Sequence, residues 1–366
     1  MRSLRGARLS GLLAAAALAL AACGGSSVGS SPSSSGPSSA APTTSGASTS
    51  SAPTSDVHVG LVYDVGGRGD KSFNDAAYAG LTQAQSQLGV TFRTLEPNSS
   101  GSNRQQLLQT LAAAHLNPLI GVGFSFQQAL TNIAKQYKDT GFAIIDSEIA
   151  LPNVASLEFR AEQSSFLVGA VAALKTKTNV VGFIGGVKVP LLLTFQAGFD
   201  AGVRYINQTK GKNVKILDTY LTTPPDLSGF SSPDKGKAAG LGMYQQHADI
   251  VYAAAGGSGT GVFQAAKQTN NFAIGVDSDQ YQSADPSLQP VILTSALKRV
   301  DVAVFDYIKS AVDGKALTGV HWFDLSNGGV GVSYSGGKID DIKSQIDDIS
   351  QKIVSGQIKV PTQPGS

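Results

Sequence analysis

Three apolar runs of this chain end in aspartate: Leu61-Val-Tyr-Asp64, Ala143-Ile-Ile-Asp146 and Ile274-Gly-Val-Asp277. An ionised carboxylate accepts hydrogen bonds, with charge assistance, and donates none. It therefore suits paired hydroxyls such as a ribose diol, or the N–H of a heterocyclic base. A single aspartate at such a place can equally cap the helix that follows. Three of them after apolar runs favour ligand contact.

Aromatic rings stand near these acids. Phe73 and Asn74 follow the glycine-rich turn Val65-Gly-Gly-Arg-Gly-Asp70-Lys-Ser72, and their neighbours Asp70, Lys71 and Asp75 are polar. Phe230 lies in Leu227-Ser-Gly-Phe-Ser-Ser-Pro-Asp234, a loop ahead of a helical pattern. Two such rings could hold a flat base between them by offset stacking. Phe124 and Phe126 straddle a strand end and either line the same place or cap a sheet. The run Ala255-Gly256-Gly-Ser-Gly-Thr-Gly261 has neither the Gly-Lys-Ser/Thr of a phosphate loop nor a clean GxGxxG spacing. Its glycines are expected to let backbone amides approach a neutral ligand, with Gly256 at the contact. Lys298 follows the apolar run 291–296 and reads either as a solvated helix start or as a donor to a ligand hydroxyl that also balances Asp277.

These groups need strand ends to position them. From residue 57 onward, apolar runs of strand length alternate with longer helical patterns. Strands are expected at 57–64, 90–95, 118–124, 141–146, 154–159, 180–185, 214–220, 250–255, 272–277 and 291–296. Continuous apolar strands separated by helices predict parallel sheets covered on both faces. In such sheets ligands bind beyond the carboxyl ends of the strands. Ten strands exceed a usual single sheet, so two doubly wound lobes are expected, with a break after Phe159. The chain should cross back around 277–290 and again near 320–324. No internal repeat is evident, and 320–334 reads as a crossing strand with a hairpin-like edge.

Bulk composition removes several classes of function. Net charge is +2 and charged residues are 15% of the 366, so neither a nucleic-acid stripe nor an acidic tail is implied. The one cysteine, Cys23, excludes an internal disulfide and a cysteine metal site. No two of the four histidines, 58, 115, 247 and 321, stand at i+4, so the helical zinc motif is missing. Arg2, Arg5 and Arg8 precede an apolar stretch that ends in Leu20-Ala-Ala-Cys23, too short to span a membrane and read as a signal peptide. Its end is similar to a bacterial lipobox, which implies cleavage before Cys23 and a diacylglycerol on the sulfur. Residues 24–55 are almost wholly Gly, Ser, Pro, Ala and Thr and should form a disordered tether of about 30 Å mean span.

The ordered set Asp64, Asp70-Lys-Ser-Phe-Asn74, Gly141-Phe-Ala-Ile-Ile-Asp146, Gly229-Phe230 with Asp234-Lys-Gly-Lys237, Gly256-Gly with Thr260-Gly261, Gly275-Val-Asp277-Ser-Asp-Gln280 and Thr294-Ser-Ala-Leu-Lys298 resembles the basic membrane protein family. These are substrate-binding lipoproteins of ABC importers, including the purine nucleoside receptor A type. The resemblance covers residue 57 to the C-terminus. It implies an α/β chain with two hinged, doubly wound parallel-sheet lobes, the type I periplasmic-binding-protein fold. It also implies a nucleoside ligand, ABC permease and ATPase subunits as partners, and attachment to the extracytoplasmic face of the cell membrane. By that resemblance Phe73 and Phe230 stack the base, Asp146 reads it, and Asp64, Asp277 and Lys298 hold the ribose, with Asn74 in the shared motif.

The resulting expectation is a monomeric binding protein with no catalytic residue, metal or cofactor. Its segments are a signal peptide at 1–22 and a lipidated linker at 23–55. The N-terminal lobe takes 56–160 plus about 285–322, and the C-terminal lobe about 161–284 plus 323–366. A pentose or other small polar solute as ligand, and a role in ligand sensing instead of import, are the alternative readings.

Overall fold

The computed structural model describes residues 54–365. The expected signal peptide, Cys23 and nearly all of the linker lie outside them. In chain order the strands are β1 (His58–Val62), β2 (Thr91–Leu95), β3 (Leu119–Gly121), β4 (Phe142–Ile145), β5 (Val154–Phe159), β6 (Val180–Val187), β7 (Lys215–Thr222), β8 (Ile250–Ala254), β9 (Phe272–Asp277), β10 (Ile292–Lys298), β11 (Gly319–Phe323) and β12 (Val330–Val332).

They form two six-stranded sheets, one in each lobe, ordered β11-β5-β4-β3-β1-β2 and β12-β10-β9-β8-β6-β7. The first is parallel throughout, and in the second only the β10–β12 pair is antiparallel. Central strands such as β4 (FAII) and β8 (IVYAA) are buried at every position, as helices on both faces demand. The edge strands β2 and β7 are only partly covered. The order β2-β1-β3-β4-β5 recurs as β7-β6-β8-β9-β10, so the lobes repeat one winding that no sequence repeat betrays.

The first return of the chain lies later than the sequence suggests. β10 was expected near the first lobe, within 285–322, but pairs with β9 in the second sheet, from Ile292 opposite Ala273 to Leu297 opposite Asp277. Local pattern marks 291–296 as a buried strand; only pairing chooses the sheet. The crossing falls at Arg299. The Val300–Val312 helix then joins the first lobe, where Val300, Val304 and Tyr307 share a core with Ala77 and Leu81 of the Phe73–Leu88 helix. Gly80 permits that approach: a Cβ there would lie 2.5 Å from Asp301 O. The stretch 320–334 is not a hairpin. β11 runs parallel to β5, and β12 belongs to the other sheet, so the chain changes lobe between them.

Candidate functional site

The topological switch of each sheet, between β1 and β3 and between β6 and β8, opens onto one shared cavity. All nine expected ligand-contact residues line it. The first lobe supplies Asp64 just after β1, Phe73 and Asn74 in the first turn of their helix, Phe124 in the turn after β3, and Asp146 after β4. The second supplies Phe230 in the Ser228–Phe230 turn, Gly256 after β8, Asp277 at the end of β9 and Lys298 at the end of β10. Phe126 turns inward and is core.

None of the three strand-end aspartates caps a helix. That task falls to Asp70, whose carboxylate accepts the backbone N–H of Ser72 (2.9 Å), Asn74 (2.8 Å) and Asp75 (3.1 Å). The Asn74 amide donates to Asp70 at 3.1 Å, and its oxygen accepts the Asp64 backbone N–H at 2.9 Å. Asn74 thus ties the helix start to the end of β1, so its polar atoms hold the wall as well as lining it. Burial pushes the Asp64 and Asp70 carboxyls up; hydrogen bonds from Ser125 and Val65, with the Arg104 charge, pull Asp64 back, and backbone N–H groups do so for Asp70.

Asp146 and Asp277 both have left-handed backbone, with φ of +63° and +62°. This conformation is uncommon outside glycine and is best tolerated by Asn and Asp. At the two strand ends it turns each carboxylate out of its strand toward the cavity. Lys298 of the second lobe forms an ion pair with Asp146 of the first, and both side chains are 3% exposed. The ammonium also lies 4.6 Å from the centre of the Phe73 ring and 5.1 Å from that of Phe159. The other oxygen of Asp146, Oδ1, is buried with no hydrogen-bond partner. Burial raises the Asp277 carboxyl to about 6, against the opposing pull of Lys298 and Ser72. Ser72 Oγ donates to Asp277 Oδ2 at 2.9 Å, and Ser278 Oγ donates to Ser72 O at 2.9 Å. The lobe rims are bonded directly to each other.

The Phe230 turn is clamped from below by the glycine-rich run. Ser258 Oγ donates to Gly229 O and accepts the Ser232 N–H, both at 2.7 Å. Gly261 serves helix packing: a Cβ there would lie 1.8 Å from Pro233 O. Of the run, Gly256 lines the cavity, while Ser258 and Gly261 fix the ring-bearing turn. Sequence reasoning missed Leu191, Leu192 and Phe195, which line the cavity from the first turns of the Pro190–Lys210 helix. The proline at its first position marked a helix start after β6; nothing local marked the apolar residues as wall. Asp70, Ser125 and Ser258 were likewise unassigned because their partners are distant or backbone.

A cavity between two doubly wound lobes, built from strand ends and walled by apolar, aromatic and acidic side chains, defines a two-lobed solute-binding protein. The family model described as ABC transporter substrate-binding protein PnrA-like matches residues 57–364, and the chain belongs to that family. It is 35% identical over 328 residues to a CD4+ T-cell-stimulating antigen of Listeria monocytogenes, covering 84% of this chain and 89% of the relative. It is 33% identical over 329 residues to the ABC transporter nucleoside-binding protein BmpA of Lactococcus lactis, covering 84% and 90%. A solved ABC transporter solute-binding protein of Aeropyrum pernix superposes with TM-score 0.73 at 31% identity, over 83% of this chain and 94% of that one. The family's role is solute capture for a transporter and not catalysis.

Proposed function

We propose that this protein binds a nucleoside, with purine as the favoured base, and delivers it to an ABC importer. The observation that carries the reading is the buried Asp146 Oδ1, an acceptor without a donor, in a cavity walled by Phe73 from one lobe and Phe230 from the other. A planar base with a ring N–H answers both features, since it offers two faces and one donor. Asp64, Asp277 and Lys298 then receive the sugar. The relative from Lactococcus lactis, named as a nucleoside-binding protein, supports the same ligand class.

Among the described residues no helix is long and apolar enough to cross a membrane. On this reading attachment falls to a lipid on Cys23, which lies outside them, and the binding domain works on the extracytoplasmic side. Relatives from Pyrococcus named as lipoproteins support this placement.

The test is a thermal-shift panel of nucleosides, free bases, ribose and nucleoside monophosphates. Inosine or guanosine at 100 times its dissociation constant should add about 2.7 kcal/mol of stability. Monophosphates should give little, because four lining carboxylates face a single lining ammonium already paired with one of them. A response to ribose with none to any nucleoside would replace this reading with that of a sugar-binding protein.

Acid should act on ligand affinity and on the free protein in opposite senses. The Asp277 carboxyl is raised to about 6 from its ordinary 3.8. Its stabilising contribution is therefore fully present below 3.8 and lost as pH rises through about 6. The ionised form holds a ligand hydroxyl more strongly, so nucleoside affinity should fall as pH drops below about 6. Calorimetric titration from pH 5 to 8 checks this, and Asp277→Asn should remove that part of the slope. An affinity flat across the range would sink the assignment of Asp277 as a ligand acceptor.

A further inference from the structure

Arg104 opens the Arg104–Ala113 helix behind the first lobe's side of the cavity and is not among the residues that line it. Only 12% of its side chain is exposed. Nη1 donates to Gly101 O at 3.1 Å, and Nη2 lies 3.4 Å from Asp64 Oδ1. The guanidinium stands 5.5 Å from the centre of the Phe126 ring, and Nε is buried without a partner. A helix start on the surface has no need of a buried guanidinium, whose removal from water costs free energy unless a charge answers it.

Asp64 is that charge. Its Oδ1 also accepts Ser125 Oγ at 2.6 Å and the Val65 N–H at 2.8 Å. Every described protein donor to this carboxylate thus converges on one oxygen. The other, Oδ2, lies over Gly123, whose φ is +102° and where a Cβ would come within 2.3 Å. The remaining charged groups that line the cavity are Asp70, Asp146, Asp277 and Lys298, and Glu158, raised to about 7 by burial, interacts with Asp146 and Lys298. Lys298 is committed to Asp146, so Asp64 depends on a cation placed outside the cavity wall.

We infer that Arg104 is a positioning residue for ligand binding, which acts through Asp64 Oδ1 to keep that carboxylate ionised and aim Oδ2 at a ligand hydroxyl. The inference rests on the nucleoside reading of the cavity. Its test is inosine titration of the full chain, of Arg104→Gln, of Asp64→Asn and of the double variant, each from pH 5 to 8.

Arg104→Gln should weaken inosine binding about tenfold at pH 7 and more at lower pH, because Asp64 then protonates sooner. The other charged groups, Glu158 included, are the same in both proteins, so the change in pH profile reports Asp64. In the Asp64→Asn background the same substitution should change affinity less than about twofold. An equal loss in both backgrounds, or a loss independent of pH, would overturn the inference. If Arg104→Gln does not fold, Arg104→Lys carries the test: it should keep most of the affinity at pH 7, and any loss must vanish with Asp64→Asn. Failure of the unaltered protein to bind inosine would instead strike the nucleoside reading first, and this inference with it.

Discussion

Phe230→Ala should lower inosine affinity by about 5- to 150-fold, the range expected from base–aromatic stacking of about 1–3 kcal/mol. Phe230 is the more informative of the two rings. Phe73 also lies under the Lys298 ammonium, so its removal would disturb the buried ion pair. Phe230 sits in a short turn whose backbone is held independently by Ser258. Phe230→Leu keeps apolar bulk but loses the flat face, and should lose most of the same affinity. Phe230→Tyr keeps the face and should retain it. If Leu and Tyr behave alike in a calorimetric titration, the ring is packing and not a stacking surface.

Lys298→Met is expected to cost about 3–5 kcal/mol of folding stability, the range for breaking a buried ion pair by removing one partner. The reason is the stranded Asp146, which is buried with one oxygen already unpartnered. Asp277 loses its cation as well, and its carboxyl, already at about 6, is pushed further up. The variant should therefore regain stability in acid. Asp146→Asn on top of Lys298→Met should be more stable than Lys298→Met alone, because the uncompensated charge has gone. Denaturant unfolding of the three proteins measures this. A loss under 1 kcal/mol for Lys298→Met would mean that Asp146 finds another partner or water, and the pair would not brace the two lobes.

Much of the site could be read from the chain because strand-end chemistry is local. Asp64, Asp146 and Asp277 each close an apolar run, and the left-handed turns at Asp146 and Asp277 are ones that aspartate tolerates. Alternation of apolar runs with helical patterns was enough to predict two parallel-sheet lobes, since both periodicities are written within a dozen residues. Tertiary structure alone decided three other matters. It placed β10 in the second sheet, because a buried strand is apolar on both faces whichever neighbour it takes. It paired Lys298 with Asp146 across 152 residues, a choice set by the meeting of two lobes. It also made Ser258 the clamp of the Phe230 turn and Arg104 the counter-charge of Asp64. Those roles arise from distances between segments far apart in the chain, which leave no pattern in residue order.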